Sequence, residues 1–158
     1  MLLKIILAGD GGQGIQLMAD VICKAVFENN KHVTYIPNYG LEQRGGVSLA
    51  FIQISDKGIS YPKFTEPDIL VIMSDQARER TTNYISDDVK IFDVKDYAGL
   101  AGLQAKNFNV FFLGLLAKLL EHKGVLKIAE TLMLLEGRLK EKAGWEENKN
   151  AFQKGLDT

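Results

Sequence analysis

Apolar residues fall in short runs along this chain, and changes in their spacing assign most of its elements. Residues 2–8 form a nearly continuous apolar run that stops at glycines, the pattern of a strand buried on both faces. From Ile15 the period lengthens: Ile15, Met18, Ile22, Ala25 and Val26 recur at helical spacing, with Gln16, Asp20, Lys24 and Glu28 at polar positions. Asn29 and Asn30 then suit a helix end, because asparagine tolerates the left-handed conformation. Residues 32–36 predict a second strand, punctuated by Pro37, and the loop "NYGLEQRGG" follows at 38–46. Residues 47–55 predict a third strand, with Val47, Leu49 and Phe51 on one side and Ser48 and Gln53 on the other. The turn Asp56-Lys57-Gly58 and a short returning strand at 59–61 would make an antiparallel hairpin across 47–61.

"EPDILVIMS" (66–74) and "VKIFDV" (89–94) predict two more buried strands, with a helix over 76–84 between them. From Asn107 onward the pattern is helical, broken at Gly124 and near Gly144, with a short final helix over 146–154. Residues 110–120 are the most apolar segment, interrupted by Gly114 and Lys118. That segment is shorter than the ~20 residues a bilayer span needs, so a buried or interface helix is expected. The sum is an α/β fold: a single domain over 1–158, a mostly parallel sheet flanked by helices, and a β-hairpin insertion.

The 158 residues carry 46% hydrophobic and 25% charged side chains, an ordinary globular composition. Net charge is −1, which lacks the basic field of a nucleic-acid binder. The one cysteine, Cys23, can neither close an internal disulfide nor hold an iron–sulfur cluster, which needs four thiolates. Single-cysteine usage and the absence of a signal-peptide pattern at residues 1–10 lead us to expect a cytoplasmic protein without a membrane segment.

Candidate chemistry concentrates in two loops. "LAGDGGQGI" (7–15) places four glycines in six positions, and three readings compete for it. Gly9-x-Gly11-x-x-Gly14 fits a dinucleotide fingerprint, yet no carboxylate ends the second strand to hold a ribose, since that strand reads Tyr35-Ile36-Pro37-Asn38. Gly9-Asp10-Gly11 with Asn29-Asn30 imitates a thiamine diphosphate signature, but only residues 12–28 separate the halves. The third reading is a backbone turn that serves a partner chain and no nucleotide. Four glycines exceed what a bare turn requires, since each costs chain entropy, so either a ligand or another subunit is expected to approach the backbone closely. The second loop, "YGLEQRGGVS" (39–48), sets Arg44 beside glycines, able to grip a phosphate or carboxylate, with Glu42 able to hold Arg44. If both loops follow parallel strands, they share the end of the sheet where α/β folds bind ligands.

Together, "GDGGQGI", "YGLEQRGGVS" and the asparagine-bearing apolar helix "NFNVFFLGLLA" (107–117) resemble the gamma subunit or gamma domain of the 2-oxoacid:ferredoxin (or flavodoxin) oxidoreductases. The resemblance runs from about Lys4 to Leu120, and possible continuation reaches "NKNAFQKG" (148–155). Two departures stand out: Asp10 replaces an uncharged residue, and the stretch between Val94 and Asn107 is abbreviated, as if the sheet edge were trimmed. The resemblance implies a subunit of an enzyme that decarboxylates a 2-oxoacid on thiamine diphosphate and passes electrons through iron–sulfur clusters to ferredoxin or flavodoxin. The product is an acyl-CoA. Thiamine diphosphate and magnesium would lie on alpha and beta chains and clusters on partners, often a ferredoxin-like delta chain, with no cofactor and no catalytic residue on this one. It would pack near the route of coenzyme A, a co-substrate. Gly11, Gly12, Gln13, Gly14, Tyr39, Gly40, Glu42, Arg44, Gly45, Gly46 and Ser48 become candidates for contact with coenzyme A or partner chains, Gln13 and Arg44 foremost. The substrate leans toward 2-oxoglutarate. A stand-alone NAD(P)-binding domain using the first loop is the alternative.

The remaining polar residues fit bland roles. His32 and His122 stand alone on different elements, Asp68 and Asp93 flank strands as turn or capping groups or as site residues, and Trp145 would anchor the last helix or an interface.

Overall fold

The computed structural model describes residues 1–38 and 46–158, with backbone alone at 99 and 101. In chain order the elements are β1 (Leu2–Asp10), α1 (Ile15–Glu28), β2 (His32–Asn38), β3 (Val47–Ser55), β4 (Ile69–Ile72), α2 (Asp75–Arg80), β5 (Lys90–Asp93), α3 (Phe108–His122), α4 (Ile128–Leu139) and α5 (Trp145–Asp157). The five strands lie in the order β2-β3-β1-β4-β5. β3 runs antiparallel to both neighbours, while β1, β4 and β5 run parallel.

β1 is central, and its apolar run serves two cores because successive side chains point to opposite faces. Leu3, Ile5 and Leu7 join α1, α3, α4 and α5 in the larger core, whereas Ile6 and Ala8 join Leu49, Leu70, Ile72 and Ala77 beneath α2. α1 starts at Gly14, a left-handed residue with φ 77, and ends where Asn30 turns left-handed at φ 59.

The sheet is mixed, two antiparallel and two parallel pairings where a mostly parallel one was expected, and the difference arises at one connection. Residues 59–61 form no strand, because β3 is already paired along both edges, with β2 on one side and β1 on the other. The hairpin is β2–β3, one connection earlier. Gln53 falls on the same face as Leu49 and Phe51, and its amide donates to the Tyr61 carbonyl at 3.1 Å. A side chain thus holds the returning segment that no ladder can. The helix expected over 76–84 stops at Arg80 and continues as one 3-10 turn over Thr82–Tyr84. Thr81 marks the break, its hydroxyl donating back to the Ala77 carbonyl at 2.7 Å. After β5 the chain runs through 3-10 turns to α3, which leaves β5 as an edge.

α3 is apolar nearly all round, as a helix enclosed by its own protein must be. No helix among the described residues is long and apolar enough to cross a membrane. Gly114 of α3 faces Gly155 of α5 at a crossing so close that a Cβ at either would run into the other helix's backbone, Phe152 or Phe111. Phe111, Phe112 and Tyr97 pack edge to face beside it, with ring centroids 5.4–5.7 Å apart. Gly155→Ala should therefore lower stability by at least ~1–3 kcal/mol through overpacking, read as the urea midpoint. Gly137→Ala, in open space on α4, should leave stability unchanged or raise it by up to ~1 kcal/mol, so that the midpoint holds or moves up.

Candidate functional site

β1 and β4 are neighbours, and the helices that follow them leave toward opposite faces of the sheet: α1 into the larger core, α2 into the smaller. The carboxyl ends of these two strands therefore flank the crevice where open α/β sheets bind ligands. Here the chain's own side chains cross that crevice. The Gln13 amide oxygen accepts the Asp10 N–H at 2.6 Å, and its nitrogen donates to the Met73 carbonyl at 3.1 Å. Beside it, the Ser74 hydroxyl donates to the Asp10 carboxylate at 2.7 Å while accepting the Ala77 N–H that starts α2. Gly9 makes room for this bridge, since a Cβ there would lie 2.7 Å from the Gln13 amide oxygen and displace it.

The two glycine-bearing loops meet. Gly11 N–H donates to the Gly46 carbonyl at 2.8 Å, a consequence of Asp10 and Val47 standing opposite each other in register. Gly11 and Gly12 are exposed, and Gly12 has φ 91. Ser48 is buried and takes part from inside, accepting a hydrogen bond from the Gln16 amide at 2.9 Å; the same nitrogen reaches the Leu49 carbonyl at 3.0 Å. Of the sequence candidates, Gly11, Gly12, Gln13, Gly14, Gly46 and Ser48 thus gather at one end of the sheet. Tyr39, Gly40, Glu42, Arg44 and Gly45 lie outside the described residues.

Asn109 belongs to this site although the sequence reading did not single it out. It sits in the first turn of α3, is 6% exposed, and packs so tightly on Gly14 that no side chain fits there. Its amide oxygen is buried without a hydrogen-bond partner among the described residues, as is that of Gln16. Buried amides are ordinarily satisfied, and the first N–H groups of α1 are close by: the first intrahelical bond is Met18 N–H to Gly14 O, leaving three amides ahead of it. The signal in the sequence was a polar residue inside an otherwise apolar helix. The chemistry available is recognition of polar or anionic groups by backbone amides.

Next to the crevice, Asp93 ends β5 almost fully buried and is gripped by Arg78 of α2 through two hydrogen bonds, of 2.6 and 2.5 Å. Lys95 N–H adds a third at 3.0 Å. Burial works against the charge on Asp93, but Arg78 and the Lys95 amide outweigh it and hold the carboxyl below the usual range. Those same bonds, with Asp75, push the Arg78 guanidinium further up. Asp93 is thus an anchor for α2. Asp68 accepts the Lys4 N–H at 2.8 Å at the opposite, amino end of the strands, in a turn. Cys23 is buried enough that its thiol is pushed up to about 12, with Asp20 adding to the effect, so it is no nucleophile. His32 and His122 are exposed, and Trp145 is half-buried against the main core. Among the described residues no group of three His, Cys, Asp or Glu side chains could hold a metal ion.

The sequence profile of the family described as "Pyruvate ferredoxin/flavodoxin oxidoreductase" matches residues 4–95, which carry both glycine-bearing loops. The chain belongs to this family. Among curated relatives, this family member is 41% identical over 88 residues to the 2-oxoglutarate synthase subunit KorC of Methanocaldococcus jannaschii, covering 55% of this chain and 45% of that protein. It is 36% identical over 73 residues to the pyruvate/ketoisovalerate oxidoreductases common subunit gamma of Thermococcus kodakarensis, covering 46% and 40%. The chain thus spans less than half the length of these relatives. The fold matches that of the keto/oxoacid ferredoxin oxidoreductase gamma subunit from Geobacter sulfurreducens with a TM-score of 0.79 at 22% identity, over 99% of this chain and 95% of that one.

The Asp93 anchor sets a pH dependence. A carboxyl held below its unfolded pKa stabilises the fold above that value and loses the contribution as pH falls through the native one. Wild-type thermal midpoints should therefore fall as pH drops below ~4. Asp93→Asn should flatten that fall and cost ~2–3 kcal/mol at neutral pH, a figure reduced for the partial exposure of Arg78. Calorimetry from pH 3 to 7 checks both.

Proposed function

We propose that this chain is the gamma-type subunit of a 2-oxoacid:ferredoxin oxidoreductase and contributes binding surface to chemistry carried out on other chains. The observation that carries this reading is the family match over residues 4–95, together with the junction of its two glycine-bearing loops through Gly11 and Gly46. The crevice in which a stand-alone domain of this architecture would seat a nucleotide is bridged by Gln13 and Asp10, which argues for the subunit over the NAD(P)-binding alternative.

In this reading thiamine diphosphate, magnesium and iron–sulfur clusters belong to alpha, beta and ferredoxin-like delta partners, and ferredoxin or flavodoxin accepts the electrons. This chain's exposed Gly11 and Gly12, the first amides of α1, and the Asn109 amide oxygen, unpaired among the described residues, face a partner or the path of coenzyme A. The Gln13 amide, committed to Asp10 and Met73, contributes by holding the loop in shape and retains one N–H and one lone pair for a partner. Arg44 supplies a positive charge from the second loop. 2-Oxoglutarate is the favoured substrate class, supported by the relative named for it. A relative described as common to pyruvate and ketoisovalerate enzymes supports placing the choice of acid on other chains.

Anoxic affinity purification of the tagged chain from its native cells, with co-purifying chains identified by mass, is the test. A thiamine-binding pair and a ferredoxin-like chain are expected, and 2-oxoacid assays on the complex then name the substrate. Recovery of the chain alone, with micromolar NAD(P) binding, would overturn the reading in favour of the alternative. In the active complex Arg44→Ala should raise KM for coenzyme A by ~10-fold or more, the size of one charge-assisted hydrogen bond; an unchanged KM would remove Arg44 from that path.

A further inference from the structure

The loop over residues 11–14 has little to hold its own shape. Three of its four residues are glycines, and Gly12 and Gly14 take φ of 91 and 77 on either side of Gln13. Packing does not fix this backbone: a Cβ at Gly12 would meet nothing within 4 Å, and one at Gly11 would meet only the Gly46 carbonyl. A glycine run of this kind samples many conformations unless tethers restrict it. On the β3 side the tether is Gly11 N–H to Gly46 O. On the β4 side the contacts go to two consecutive residues, the Gln13 amide to Met73 O and the Asp10 carboxylate to the Ser74 hydroxyl.

Both of those anchor residues are themselves held. Met73 N–H donates to Ala8 O at 2.9 Å, and Ser74 starts α2, which Arg78 fixes to Asp93. Asp10 reaches Ser74 because it ends β1 on the face of Ile6 and Ala8, the face that α2 covers. α2 does not need this contact. The Ser74 oxygen caps it by accepting the Ala77 N–H at 3.0 Å, wherever the hydroxyl proton points. Among the described residues Asp10 forms no ion pair, and the Ser74 hydroxyl is the one partner of its side chain. What the contact restrains is the loop.

Resting on the subunit reading above, we infer that Asp10 and Ser74 are positioning residues for coenzyme A. Their hydrogen bond holds the backbone of Gly11 and Gly12 and the first turn of α1 in one arrangement before the coenzyme arrives. Binding then does not have to order a glycine loop. In this role neither side chain touches the coenzyme, and the carboxylate serves as an acceptor rather than as a charge.

Amide hydrogen exchange on the isolated chain reads the tether without any partner. Asp10→Ala and Ser74→Gly should each speed exchange at Gly11 and Gln13 by ~10-fold. Glycine is the replacement for Ser74 that disturbs the start of α2 least. Asp10→Asn should exchange as wild type, since its amide oxygen can accept the same hydroxyl. In the purified complex the first two variants should raise KM for coenzyme A by ~10-fold at unchanged kcat, and Asp10→Asn should restore it. The double variant D10A/S74G should be no worse than either single one, because each removes the same contact. Wild-type exchange at Gly11 and Gln13 in Asp10→Ala would overturn the inference and leave the subunit reading intact, and so would an unchanged KM. A KM that rises as far in Asp10→Asn as in Asp10→Ala, or falls in both, would assign the effect to the charge itself and defeat the positioning role. If no complex that uses coenzyme A forms, the subunit reading and this inference fall together, whatever the exchange rates.

Discussion

One side-chain amide, that of Gln13, ties together the end of the sheet on which the rest of the site depends. It accepts from Asp10 N–H and donates to Met73 O, so the loop after β1 is bolted to the end of β4 across the crevice that α/β folds leave open. The neighbouring glycines are set close around that bolt. Gly9, lacking a Cβ, leaves the space into which the amide folds back. Beside it the β1–β3 register presents Gly11 to Gly46, and α1 begins from a left-handed Gly14 pressed against Asn109. An amide suits the task because it is at once donor and acceptor; glutamate in its place would set a carboxylate against a carbonyl oxygen.

The bolt works because the elements on either side of it are rigid. α2 is only six residues long and would be marginal alone, yet Ser74 caps it and Arg78 fixes it to the buried Asp93. Asp10 takes hold of the same Ser74 hydroxyl, so the first glycine loop and the Arg78–Asp93 pair are joined through one hydroxyl. On the other face α3 is enclosed by α5 through the Gly114–Gly155 crossing. The apolar helix is therefore spent on the protein's own core, and its first turn carries Asn109 to the site.

Much of this was legible in the sequence, and the misses have a common cause. The bounds of α1 and of β3 followed from periodicity and turn residues, since those signals are local. The returning strand at 59–61 failed because both edges of β3 are occupied, a fact of sheet order that no window of sequence carries. Gln53 was set on the wrong side of β3 for lack of strict alternation in a strand buried on both faces. The glycine loops were legible as backbone that something approaches closely, and within the chain Gly46 and Asn109 do so. That Gln13 turns inward, and that Asn109 meets Gly14, depend on β4 and α3 lying beside β1, contacts between residues 60 or more positions apart.

The same geometry bears on why such a chain would act through other chains. A protein that performs chemistry alone in this architecture keeps its switch-point crevice open for a ligand; this one closes it with hydrogen bonds that a ligand would have to break. What it leaves unsatisfied among the described residues lies outside the crevice: exposed glycine backbone, the first amides of α1, and two buried amide oxygens on Gln16 and Asn109. A buried acceptor without a donor costs free energy wherever it stays unmet. Such a deficit is tolerable in an isolated chain if assembly brings the missing partner. In the proposed reading, the strain of the free subunit and the affinity of the assembled enzyme are two sides of the same unpaired atoms.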